Sequence, residues 1–193
     1  MYDNYSLTEL QHRIATEADE RAYTALFMRF AGPLNQFATA LLHKPEVAEE
    51  IVSDVFIRVW EKRESLDQVS NLKMYLYVSV RNYCVNYKRA NKYPETLDLD
   101  KIPGEFLATG LCDPLQATIA RQLHKRVFEA IAMLPPKCNL IFRLAKNDGL
   151  KIREIAELLD VSPKTVENQL TIAVKKMGET LREITGKVIR LRS

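Results

Sequence analysis

The chain has 193 residues, 47% apolar and 27% charged, with a net charge of +3. That is enough for one large or two small folded units. Its longest apolar runs are a few residues, far short of the roughly 20 needed to cross a bilayer, so no membrane insertion is expected. MYDNYSLTEL lacks the basic start and apolar core of a secretory signal, which makes the cytoplasm the expected location. Cys84, Cys112 and Cys138 are too widely spaced for a disulfide framework or a zinc set and suit a reducing compartment. His12, His43 and His124 are equally scattered, so no metal or other cofactor is expected. Few glycines and little β-branched alternation point to an all-α protein, and the pattern along the chain, taken next, to two small helical domains joined by a flexible linker, the second a four-helix helix-turn-helix domain.

The first domain is expected over residues 6–92. Ala22, Leu26, Phe30, Leu34, Phe37 and Leu41 recur at helical spacing, and Gly32-Pro33 within that run predicts a kink or local break. A second helix opens at Pro45. Glu46, Glu49 and Glu50 fill its first turns and Lys62 and Arg63 its end, as the helix dipole favours. Its apolar face is Val47, Ile51, Val55, Phe56, Val59 and Trp60. After a short loop, Glu64 to Ser70, a third helix is expected from about Asn71 to Asn91.

That third helix is chemically unusual. Segment 71–94, NLKMYLYVSVRNYCVNYKRANKYP, has no Asp or Glu and holds five of the eight tyrosines. Leu72, Leu76, Val80, Tyr83 and Tyr87 fall largely on one face, so Tyr83 and Tyr87 are expected to be partly core. Tyr77, Arg81 and Lys88 fall on another, with Asn82 and Arg89 beside it and Lys92 just beyond. Cations interleaved with rings suit a single-stranded nucleic acid, since the cations hold phosphates and a ring stacks on an unpaired base for about 1–3 kcal/mol. A merely solvated helix mixes both signs of charge.

Residues 93–113 lose the helical period and gather Pro, Gly and acids, which reads as the linker. The second domain is expected over 114–186. Residues 114–193 carry 15 Lys and Arg against 8 Asp and Glu, a basic balance that fits nucleic acid. One helix is marked by Leu115, Ile119, Leu123, Val127, Ile131 and Leu134, and Pro135-Pro136 ends it and starts the next, to Lys146. Asn147-Asp148-Gly149 is a turn signal. Then KIREIAELLDVSPKTVENQLTIAVKKM, residues 151–177, reads as two short helices about a tight turn. Ile152, Ile155, Ala156 and Leu159 share a face, Asp160 takes a left-handed turn position, Ser162 caps the second helix and Pro163 opens it. Val166, Leu170, Ala173, Val174 and Met177 are the expected buried face. This is a helix-turn-helix, whose second helix lies in the DNA major groove. Ser162, Lys164, Thr165, Glu167, Asn168, Gln169 and Thr171 offer hydrogen-bonding groups suited to base edges, and Lys175 and Lys176 suit phosphates. The final GKVIRLRS is expected to fray.

A duplex reader and a single-strand binder on one chain resemble the sigma factors of bacterial RNA polymerase, specifically the small extracytoplasmic-function (ECF) group. The match is carried by AEEIVSDVFIRVWEKRESL (48–66) with the 71–93 helix, and by LPPKCNLIFRLAKNDGLKIREIAELLDVSPKTVENQLTIAVKKM (134–177). The resemblance implies a non-enzymatic factor that binds core polymerase and directs initiation at chosen promoters. Asp54, Ile57, Arg58, Trp60 and Glu61 would dock on the β′ clamp helices, with Trp60 either interface or core. The loop 64–70 and the start of the next helix would capture a base flipped from the −10 element. Tyr77, Arg81, Asn82, Lys88, Arg89 and Lys92 would hold that element, and the helix-turn-helix would read the −35 element beside the β flap. A membrane-anchored anti-sigma factor is the expected regulator.

Three other readings compete. A response-regulator output protein would share the helix-turn-helix, but would need an α/β receiver that the strand-poor first half lacks. A sigma mimic acting only through an anti-sigma partner would not need the DNA-facing charge kept here. An enzyme would need a nucleophile–base pair, paired carboxylates or a phosphate loop, and none stands out.

Overall fold

In a computed structural model of the chain, residues 5–92, 130, 131 and 133–190 are described, with the side chains of the last helix described through Glu179 and at Arg182. The linker at 93–113 and most of the helix expected over 115–134 lie outside them. Every regular element among the described residues is a helix. The chain divides into two compact units, Met1–Leu97 and Asp98–Ser193.

In the first unit, α1 spans Leu7–Glu17. Ser6 Oγ accepts from the Glu9 N–H while the Glu9 carboxylate accepts from the Ser6 N–H, a reciprocal cap that satisfies two orphan donors. The Ser6 contacts hold the Glu9 carboxyl below the usual range. Ala18 ends the helix in the left-handed region, φ 49°, and Asp19 starts the next by accepting from the N–H groups of Arg21 and Ala22.

Helix α2, Glu20–Leu42, runs on through Pro33, so of the kink or local break expected there the break does not occur. Proline costs the helix one backbone hydrogen bond and crowds the turn before it. Here Phe30, Leu34 and Phe37, all at most 6% exposed, pin both sides to the core, while Gly32 faces open space. All six apolar positions read along α2 are buried.

Helix α3, Pro45–Glu61, starts on its proline, where the missing N–H is no loss. It buries Ile51, Val55, Phe56 and Val59 as expected, and also Ala48 and Val52. The Tyr23 hydroxyl donates to the Phe56 carbonyl at 2.8 Å, tying α2 to α3. A 3-10 segment, Arg63–Gln68, fills most of the expected loop. Helix α4, Leu72–Ala90, begins where Asn71 Oδ1 accepts from the Met74 N–H. Its core stripe is Leu72, Leu76, Val80 and Cys84, joined by Tyr77. Burial pushes the Cys84 thiol up to about 12, which leaves it an inert packing group.

In the second unit, α5 spans Pro136–Lys146, α6 Ile152–Leu159 and α7 Pro163–Arg190. Ile131, Leu134, Cys138, Phe142 and Ala173 form the core, with Leu170 and Met177 packed against it. Asn139, fully buried, donates to the Ile131 carbonyl at 2.7 Å and so ties α5 to the segment before it. Gly149, φ 65°, turns the chain toward α6. Two expected core positions are corrected: Ile152 is 36% and Val174 58% exposed. Ile152 begins a helix of only eight residues, and Val174 follows Ala173, which takes the core-facing side. Of the tail expected to fray, residues 186–190 are helical and 191–193 lie outside the described residues. Helix α7 continues to Arg190, because nothing after Gly178 removes a backbone donor and each added residue gains one hydrogen bond.

Candidate nucleic-acid interface

The helix-turn-helix is built as its residues dictate. Asp160 adopts φ 53°, a conformation Asp tolerates better than most side chains, and its N–H closes α6 on Ala156 and Glu157. Ser162 Oγ then accepts from the Thr165 N–H at 3.0 Å and lies 2.9 Å from Thr165 Oγ1. These two hydroxyls are therefore engaged in holding the start of α7.

The remaining candidates on α7 separate by face. Lys164, Glu167, Asn168, Thr171 and Lys175 are exposed and share one stripe at helical spacing, with Lys176 exposed beside it. Opposite them, Val166 and Ala173 are fully buried. Lys164 and Glu167 lie 3.3 Å apart as an exposed i,i+3 pair. Gln169 departs from the expectation. It is half-buried and its Oε1 accepts from the Cys138 thiol at 2.7 Å, so its acceptor faces α5 rather than a DNA edge. The Cys138 thiol is itself raised by burial.

On α4, Asn82, Arg89 and Lys92 are exposed and Arg81 and Lys88 half-buried. Tyr77 is corrected. It is 0% exposed, with its ring 5.3 Å from Phe37 in an edge-on contact. Its neighbour Leu76 and the residues one and two turns on, Val80 and Cys84, are buried in the same core, and a wide apolar stripe takes in position 77. The rings left near solvent are Tyr75, Tyr83 and Tyr87. Arg58 lies over the Tyr83 ring at 5.4 Å and Lys44 over Tyr87 at 5.9 Å. A groove of about 200 Å³ opens between α3 and α4, lined by Arg58 and Lys62 from one helix and by Tyr75, Asn82, Tyr83 and Asn86 from the other. Cations, flat rings and amides around an open slot are the groups that hold a base and its phosphate.

On α3, Asp54, Ile57, Arg58 and Glu61 form an exposed strip, with Ile57 55% exposed. Trp60 is half-buried. Its ring is 4.9 Å from that of Tyr23, and the Arg63 guanidinium lies 5.0 Å over it. Arg58 thus belongs to both the strip and the groove. None of residues 64–70, expected to form the base pocket with the start of the next helix, lines this groove; sequence reasoning missed Lys62 and Asn86, set Arg58 on the clamp strip and took Tyr83 as partly core. A wheel drawn for one helix cannot show which side a second helix flanks.

Among the described residues, no cluster of three or more His, Cys, Asp or Glu is placed to hold a metal, and no helix is long and apolar enough to cross a membrane.

A capped helix-turn-helix with a polar stripe, on a chain whose other unit carries a basic, aromatic groove, presents the groups of a nucleic-acid-binding protein. Comparison with known proteins identifies the kind. Residues 26–93 match the family model for sigma-70 region 2 and residues 124–177 that for sigma-70, region 4, which together take in more than half of the chain. The ECF RNA polymerase sigma-E factor of Escherichia coli K12 is 24% identical over 160 residues, spanning 80% of this chain and 83% of its own. The ECF RNA polymerase sigma factor RpoE of Cereibacter sphaeroides is 25% identical over 180 residues, spanning 92% and 96%. Among solved structures, the sigma factor RpoE of Bartonella quintana, crystallised with the anti-sigma factor NepR, superposes with a TM-score of 0.50. It is 20% identical and covers 84% of this chain and 98% of its own. The chain belongs to the sigma-70 family, as an alternative sigma factor of the ECF group that acts in transcription initiation.

Proposed function

We propose that the two units grip one promoter at two places while the chain is held on core RNA polymerase. Residues 6–92 take the −10 element and the polymerase clamp, 93–113 link, and 114–186 take the −35 element. The exposed stripe Lys164, Glu167, Asn168, Thr171 and Lys175 reads duplex edges and phosphates, with Lys176 on phosphate and the Ser162–Thr165 cap holding the helix start. The groove between α3 and α4 receives an unpaired base, and Arg81, Asn82, Lys88, Arg89 and Lys92 hold the strand around it. The observation that carries this reading is that groove: a place for one flipped base biases a duplex toward opening, because it returns part of the few kcal/mol of unstacking. The strip Asp54, Ile57, Arg58 and Glu61 meets the β′ clamp helices, and the second unit sits by the β flap. The chain performs no catalysis, works in the cytoplasm, and is restrained by an anti-sigma factor anchored in the membrane.

The test is reconstitution. Purified chain and core polymerase, offered a library of randomised duplexes, should retain one promoter sequence and start transcription from it. No binding to core polymerase would overturn the reading. Alanine at Arg81, Lys88 and Arg89 should lower promoter opening more than −35 duplex binding, and equal losses would refute the division of labour. Replacing Lys164 or Asn168 should change −35 preference by about 1–3 kcal/mol if either makes a bidentate base contact.

A further inference from the structure

The 3-10 segment and the two residues after it join the groove's two walls. Lys62 ends α3 just before it and Asn71 caps α4 just after it. Such a segment leaves its last carbonyls without helical partners. Here Leu66 keeps its local bond from the Val69 N–H, and further donors reach Leu66 and Val69 from far away in sequence. The Gln11 side-chain amide on α1 donates to the Leu66 carbonyl at 2.6 Å and to the Val69 carbonyl at 2.7 Å. Gln11 is only 9% exposed, and the Val69 N–H closes back on Leu66 at 2.9 Å. One amide therefore fixes two carbonyls three residues apart, which sets both the distance and the direction of the turn. Only Ser70 separates Val69 from the α4 cap, and the Leu66 side chain, 1% exposed, pins the same turn from inside. Exposed His12, 3.3 Å from Asp67, adds a second and weaker contact along the same seam. Gln11 lies outside the stretch matched by the region 2 family model.

We propose that Gln11 is a positioning residue for promoter opening. By tying α1 to the turn 66–69, it fixes where α4 begins and hence the spacing of Lys62 from Tyr75 and Asn82 across the groove. The inference rests on the reading of that groove as the place of the unpaired base. A buried donor pair aimed at two carbonyls is costly to lose, because the Val69 carbonyl then loses its Gln11 donor and the Leu66 carbonyl keeps only the Val69 N–H. Gln11→Leu keeps the volume and removes the donors. Gln11→Glu keeps the shape and sets a carboxylate against two carbonyl oxygens.

The full chain and both variants would be assembled with core polymerase on the promoter selected above. Open complexes would be scored by permanganate reactivity of unpaired thymines and expressed per polymerase-bound chain, so that any loss of folded protein cancels. Both variants should lose roughly tenfold in that ratio, the scale of one stranded acceptor, and should discriminate less between bases at the captured position. Thr8→Ala, exposed on the same helix, should match the wild type. A ratio and a base preference unchanged in both variants would overturn the inference, and so would a loss of opening accounted for wholly by lost polymerase binding. Should the wild-type chain open no promoter at all, the reading of the groove falls and this inference with it, a result distinct from a silent Gln11.

Discussion

Replacing Tyr77 with alanine separates a core ring from a DNA-stacking ring. Tyr77 is fully buried and meets Phe37 edge-on at 5.3 Å. Truncating a buried aromatic side chain costs about 3–5 kcal/mol, from lost transfer energy plus the cavity left behind. A unit of about 90 residues is worth roughly 5–13 kcal/mol in all, so the variant should keep only a fraction of its stability. At a urea slope of about 1.5 kcal/mol/M, the midpoint should fall by roughly 2–3 M. Trp60 is the only tryptophan in the chain. It lies in the first unit against Tyr23, so its fluorescence follows that unit without interference from the second. Tyr77→Phe keeps the ring and its contact with Phe37, and should cost no more than about 0.5–1.5 kcal/mol. A Tyr77→Ala midpoint within 0.5 M of wild type, measured beside a loss of promoter opening, would refute the reasoning, because only a ring at the surface could behave so.

Ala18→Gly should stabilise the first unit by about 1 kcal/mol in the same fluorescence assay, since Ala18 sits at φ 49°, where a Cβ is strained; no gain, or a loss, would count against that local conformation. Ser162→Ala should destabilise the second unit by about 1 kcal/mol through loss of the cap on Thr165, as read by circular dichroism, while Trp60 fluorescence stays put. His43 has its imidazole pKa lowered, first by burial and then by Lys88. With the folded value below the unfolded one, the unfolded chain binds more protons, so stability is present above the unfolded value and falls as pH drops through the folded one. His43→Asn keeps a residue suited to the left-handed position, φ 58°, and should flatten that part of the stability profile between pH 7.5 and 5. An unchanged slope would remove His43 as its source.

The local chemistry of this chain was legible in its residues. Ser162, Pro163 and Asp160 specify a cap, a start and a left-handed turn through groups that act within a few residues, and all three stand as read. The repeat Ala22–Leu41 specified the buried side of α2, and the fully buried Val166 and Ala173 specified that of α7, because helical spacing alone puts those positions on one side. The acid-free segment 71–94 marked α4 as basic and aromatic, since composition survives folding unchanged. What a single helix cannot encode is its neighbours. Whether Tyr77 meets Phe37 or solvent, whether Gln169 faces DNA or Cys138, and whether Pro33 breaks its helix depend on the elements packed alongside. The groove is of the same kind: Arg58 and Lys62 come from one helix and Tyr75, Asn82 and Tyr83 from another. So is the hold of Gln11 on the turn 66–69, more than 50 residues away in sequence. Period and capping act within one element and can be read from it. Burial, pairing and the making of a groove are settled only when separate elements meet, and only the tertiary structure decides them.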